Sequence, residues 1–176
     1  LSNYYMVMEN FLDEIADMVD LQIGKQTPHS RSEIVSDYRM VGSGKDGYSR
    51  IMLAIAQQSV VRQRFHVFEE AGIEVDKMSI SSEGLWSWVS RAGGLKPGEP
   101  VVLLDVDSFY SDFAVVSTDG MMFTRSILVG ADLLLGQDEE AKSNFAKEIR
   151  HSLEICHGEL PDVKPSGIIL SGAGTR

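Results

Sequence analysis

The first twenty-one residues set Leu1, Tyr4, Met8, Phe11, Ile15 and Met18 at steps of three and four, with Leu12 and Val19 widening the stripe. Glu9, Asp13, Asp17 and Asp20 fill the opposite side. That period predicts one amphipathic helix, Leu1 to Leu21, whose apolar face needs a cover. Gln22 to Arg31, with Gly24 and Pro28, reads as a loop. Ile34–Val41 and Arg50–Ala56 read as two strands joined by the glycine-rich stretch Gly42 to Gly47. A phosphate cradle would need Gly-Lys-Ser/Thr running into a helix, so this stretch reads as a plain hairpin loop. Ser59 is placed to cap the next helix and Gly72 to end it, with Val61, Phe65 and Phe68 as its buried face. A short strand is expected over Glu74–Ser79, then a helix opening near Ser82 and carrying Leu85, Trp86 and Val89. Trp86 and Trp88 cannot share a helix face, which predicts one in the core and the other at an interface.

Gly93 to Pro100 holds three glycines and two prolines in eight residues and marks a boundary. Beyond it the period changes to that of strands. Val101–Leu104 is an apolar strand ending in the carboxylates Asp105 and Asp107, and Asp112–Ser117 pairs back on it. Asp119-Gly120 turns the chain into Met121–Ile127, because both positions of a tight hairpin favour positive φ. A long helix, Asp138 to about Cys156, lines one face with Ala141, Phe145, Ile149, Leu153 and Cys156 before Gly158 and Pro161 stop it. Gly167–Leu170 closes the pattern as a last strand. Helices alternating with short strands make this an α/β chain.

Composition narrows the partners more than the fold. A length of 176 residues allows one good domain or two small ones, and 43% hydrophobic with 24% charged residues is ordinary for a globular protein. The longest apolar runs, Ile51–Ala56 and Val101–Leu104, fall far short of the ~20 residues a membrane helix needs. The acidic residues of the first segment do not suit a signal peptide. A start at Leu1 inside an amphipathic segment is the expectation for a piece of a larger protein. A net charge of −10 argues against nucleic acid or an anionic membrane surface as the main partner. The single cysteine, Cys156, rules out an internal disulfide framework and fits a reducing compartment. Cys156 and His157, with His151 on the same helix, lack zinc-site spacing, so Cys156 reads as a core residue.

Strand–strand–strand–helix–strand, with an aspartate closing the first strand (Asp105) and glycines closing the last, resembles the nucleotide-binding half-domain of the actin-like ATPases. The segment FTRSILVGADLL is most similar to the PilM family of type IV pilus assembly. The likeness extends through EIVSDYRMVG, with its Asp37-Tyr38 pair, and through the helix ending in Ala71-Gly72. It implies an incomplete actin-like fold. Residues 1–75 would be a helix and an α+β insert subdomain, 76–98 a returning strand, helix and linker, and 99–176 a ribonuclease-H-like half-domain.

The resemblance also implies site residues. Asp105 matches the aspartate of the second phosphate hairpin, which in actin-like proteins helps hold a metal-bound water. Gly130 matches the glycine after the "TR" strand, and Glu148 a helix carboxylate near the nucleoside. Gly172 and Gly174 match the adenosine-binding turn. Each has a plainer reading: strand-end carboxylates, a solvated helix residue, simple turn glycines. Arg125, between Phe123 and Ile127, reads as a half-buried arginine awaiting a carboxylate.

One departure stands out. Where the family reads Asp-x-Gly, this chain reads Asp105-Val106-Asp107, which adds bulk and a second negative charge that repels a polyphosphate unless a cation intervenes. The first phosphate hairpin of the fold has no counterpart in this sequence. ATP with magnesium is therefore an expectation for the complete protein only, with no tight binding and no useful hydrolysis expected here. What the resemblance implies is a cytoplasmic scaffold peripheral to the inner membrane, docking the cytoplasmic tail of a PilN-like membrane protein, with self-association left open. The alternatives are a GspL-like part of type II secretion, which Asp107 suits, or a true actin-fold ATPase or kinase.

Overall fold

The computed structural model describes residues 2–8, 15–43, 48–136 and 139–173. The chain divides into two compact units, Leu1–Met78 and Ser79–Arg176.

The first unit opens not on a helix but on strand β1, Ser2–Met8, followed by helix α1, Ile15–Gln26. The expected Leu1–Leu21 helix is thus corrected at both ends. Ser-Asn-Tyr-Tyr-Met-Val-Met is rich in residues that suit a pleated surface, and pairing with a neighbouring strand overrides the helical spacing. The expected loop from Gln22 begins five residues later, since α1 runs through Gly24 to Gln26. A 3-10 turn, Arg31–Glu33, follows, entered by Ser30, whose backbone N–H donates to Glu33 Oε2 at 2.8 Å. That bond and one from the Ser30 hydroxyl hold the Glu33 carboxyl below its usual range. Strands β2, Ile34–Ser43, and β3, Tyr48–Gln57, then form with β1 an antiparallel sheet in the order β1-β3-β2. Gly42 and Ser43 belong to β2, and the rest of the expected glycine loop, 44–47, lies outside the described residues. On one sheet face Ile51, Leu53 and Ile55 of β3 bury against Ile15, Val19 and Ile23 of α1, with Ile34. Successive side chains of a strand alternate faces, so a single helix stripe can cover that β3 row.

Helix α2, Gln58–Glu70, starts from Gln57 at the N-cap position, without a side-chain capping bond, and Ser59 lies inside the first turn instead. Its end matches expectation. Gly72 takes φ +70°, its N–H bonds Glu69 O and that of Ile73 bonds Phe68 O, the paired closure that a left-handed glycine permits. The expected buried face is only partly covered: Val61 and Phe65 are half-buried, Phe68 is 42% exposed, and no α2 residue is fully buried. Glu74–Ser79 forms no strand, and among the described residues no strand pairs with it.

The second unit is a four-stranded mixed sheet in the order β6-β5-β4-β7. Its strands are β4, Val101–Val106, β5, Ser111–Ser117, β6, Gly120–Ile127, and β7, Ile168–Ser171. The β4–β5 and β5–β6 pairs are antiparallel, and β7 runs parallel to β4. The β5–β6 hairpin is as expected, but its turn sits one residue earlier, at Thr118–Asp119. Gly120, at φ +151°, pairs with Ser117, and no residue other than glycine has positive φ among those described. Helix α3, Ser81–Arg91, packs on the sheet through Val89, while Trp86 donates its indole N–H to Ser117 O and Trp88 stays 66% exposed. The short helix α4, Ala131–Leu134, escaped the sequence reading. Helix α5, Glu139–Glu159, covers the other face; of its expected stripe only Cys156 is fully buried, and Phe145, Ile149 and Leu153 are half-buried.

Burial, with the nearby Glu159 carboxylate, pushes the Cys156 thiol up from about 9 to about 11. Between those values the unfolded chain has lost the thiol proton while the folded chain keeps it, so stability falls as pH rises through the window. The loss reaches about 3 kcal/mol above pH 11. A Cys156→Ala chain, compared by urea unfolding at pH 8.0 and about 11, is expected to lose less stability than the parent. Equal losses would show that the thiol does not stay protonated in the fold.

Candidate functional site

The carboxyl end of β4 gathers the candidate residues. Asp105 is the fifth residue of β4 and is half-buried, and Asp107 follows the strand and is exposed. The turn they lead into is closed by its own backbone. Asp107 N–H donates to Tyr110 O at 3.0 Å, and Ser108 N–H to Asp107 Oδ1 at 2.8 Å. The segment entering α4 locks on top, with Ala131 N–H to Asp107 O at 2.7 Å and Asp132 N–H to Ser108 O at 3.0 Å. Gly130 sits in this junction, where a Cβ would fall 2.5–2.6 Å from the backbone of Asp107, Ser108 and Phe109. Gly172 follows β7 at φ +94°, and a Cβ there would meet the Val106 backbone at 2.4 Å. Four candidates, Asp105, Asp107, Gly130 and Gly172, thus stand around one strand end. Gly174 lies outside the described residues.

Glu148 is placed elsewhere. On α5 it accepts from Arg125 at 2.9 Å, and the same guanidinium donates to Ser152 Oγ at 3.0 Å. Arg125 lies on β6, two strands away from β4. The half-buried arginine has found its carboxylate, and the pair fastens α5 to the sheet.

Asp112 escaped the sequence reading as a polar core residue. It is directly opposite Asp105 in the β4–β5 register, so both carboxylates share the face covered by α3. Ser171 pairs with Asp105 and Ser126 with Asp112, which makes a polar row across all four strands. Asp112 is only 6% exposed, and it accepts from Ser81 Oγ at 2.5 Å and Ser126 Oγ at 2.6 Å. Ser82 Oγ reaches Thr124 Oγ1 at 3.0 Å beside it. A buried carboxylate needs such donors, and here they tie the start of α3 to β5 and β6. The signal lay in Ser81-Ser82 at a helix start, but nothing local names their partner.

Among solved structures, a chain described as the PilM–PilN type IV pilus biogenesis complex matches 99% of this one with a TM-score of 0.79 at 17% identity. The fold is PilM-like. This PilM-like chain spans 60% of that neighbour's length. It is a mixed α/β protein of actin-like fold, as the sequence resemblance implied. A Bacteroides thetaiotaomicron protein with actin-like ATPase fold and unknown function matches more loosely, with a TM-score of 0.49 and 10% identity over 97% of this chain and 56% of that one. No family profile and no curated protein matches the sequence.

ATP with magnesium, which the sequence resemblance implied for the complete protein only, fits these residues poorly. The Asp107 and Ser108 amides that would face a phosphate are donated within their own turn. Asp105 and Asp107 add negative charge where a polyphosphate would approach. The glycines that the resemblance assigns to nucleotide are required at Gly130 and Gly172 by the approach of neighbouring backbone. Among the described residues, no three His, Cys, Asp or Glu side chains group as a metal site. His151 faces solvent beside Glu154, away from buried Cys156.

Proposed function

We propose that this chain is part of an actin-like scaffold of type IV pilus assembly, cytoplasmic and peripheral to the inner membrane, that docks the tail of a PilN-like membrane protein without turning over ATP. The observation that carries this reading is the match to the PilM–PilN structure over 99% of the chain. A self-sealed Asp107–Tyr110 turn supports a scaffold over a nucleotide enzyme. Among the described residues no helix is long and apolar enough to cross a membrane.

The first unit has the surface such a tail would use. Strand β3 is central and its backbone is paired on both sides, whereas β2 is an edge with Val35, Tyr38 and Met40 between 37% and 45% exposed. An extended tail gains backbone hydrogen bonds at such an edge. Beside it α2 leaves Val60, Val67 and Phe68 exposed. Pull-down of the full-length protein with a PilN-like tail peptide tests the reading. An Arg64→Glu, Phe68→Ala variant is expected to lose most of the binding while remaining folded, because both side chains are exposed. Retention of full binding by that variant and by substitutions along β2 would remove the tail from this surface.

A further inference from the structure

One surface of the second unit is not used by that reading. The turn after β4 and the segment leading into α4 are joined by the Ala131–Asp107 and Asp132–Ser108 backbone bonds. Around that junction stand Phe109 at 79% exposure, Leu128 at 88%, Leu133 at 49% and Leu135 at 73%. Scattered apolar residues on a surface need no explanation, but several large ones around one backbone junction mark a binding surface. Neither contributing segment carries a compensating cation. No lysine or arginine occurs from Pro97 to Thr124 or from Ser126 to Ala141, while Asp107 and Asp132 stand among the apolar side chains.

We infer that this junction docks a segment of a partner protein that presents apolar side chains together with lysine or arginine. Charge chooses the occupant. A second copy would bring the same carboxylates and another net charge of −10, and an anionic lipid surface would be repelled likewise. A basic amphipathic segment buries Phe109 and Leu128 and neutralises Asp107 and Asp132 at once. The inference concerns the second unit alone and stands whether or not the PilN-like tail binds the first.

The test uses the chain with a synthetic amphipathic peptide of Leu and Lys, its Leu–Glu counterpart, and anionic phospholipid vesicles. Fluorescence anisotropy is expected to show saturable binding of the Leu–Lys peptide. Binding should fall by about tenfold or more in Phe109→Ser, Leu128→Ser and in Asp132→Lys. A Leu21→Ser substitution on α1, exposed and outside both surfaces, should leave it unchanged. Circular dichroism and the thermal midpoint confirm folding, and Leu135→Ser alone replaces the double variant if that one unfolds. Equal binding by all variants would reveal diffuse charge attraction and overturn the inference, as would equal binding of the Leu–Glu peptide. Sedimentation showing a dimer, or vesicle binding, that the Phe109→Ser, Leu128→Ser variant abolishes would assign the surface to another occupant and overturn it as well.

Discussion

Replacing Phe113 by alanine is expected to cost about 3–5 kcal/mol of stability. Its ring is wholly buried in the middle of the second sheet and meets Phe123 edge to face, with centroids 6.1 Å apart and planes at 80°. Truncation loses the transfer energy of the ring and leaves a cavity between β5 and α5 that paired strands cannot collapse to fill. Urea unfolding, followed in the near-ultraviolet for tertiary packing, reads the effect directly. The same truncation at Phe68, 42% exposed on α2, should cost far less. Comparable losses at the two positions would mean that the second unit's core is not centred on β5.

The contrast between those phenylalanines also shows how much of the fold the sequence carries. In the second half the apolar runs have no competing period, so β4, β5, β6, α5 and β7 are all legible, as is the actin-like class. In the first half Tyr4, Met8, Ile15 and Met18 satisfy a helix pattern, yet Ser2–Met8 pairs with β3. Spacing alone cannot distinguish the two when the partner strand lies some fifty residues away. The α2 stripe is apolar in sequence but only half covered in structure, because periodicity reports what a face can bury and not how fully anything covers it. Glu74–Ser79 likewise has strand composition without a strand beside it. Around the candidate site the carboxylates and glycines were visible. Their reasons were not: Asp112 depends on serines from α3 and β6, and Gly130 on a turn some twenty residues earlier.

Those reasons predict what happens when the glycines acquire side chains. Gly172→Ala would place a Cβ at φ +94° against the Val106 backbone at 2.4 Å, so β7 must separate from β4 or the turn must rebuild. The expected cost is about 2–4 kcal/mol, combining left-handed strain with overpacking against backbone that cannot rotate away. Gly130→Ala meets three backbone atoms within 2.6 Å and should be similarly damaging, through the Asp107–Tyr110 turn. Gly158, in α5 with nothing within 4 Å of where a methyl group would sit, is the control: alanine there should be neutral or stabilising by about 0.5–1 kcal/mol. The stability losses are expected without nucleotide, since the glycines serve the packing of this chain on itself. A ligand that binds only the folded state raises its midpoint by mass action. ATP with magnesium should therefore leave the wild-type midpoint where it is. Near-neutral Gly172→Ala and Gly130→Ala chains, together with a saturable ATP-dependent rise in the wild type that both variants lose, would return these glycines to nucleotide binding and undo the scaffold reading.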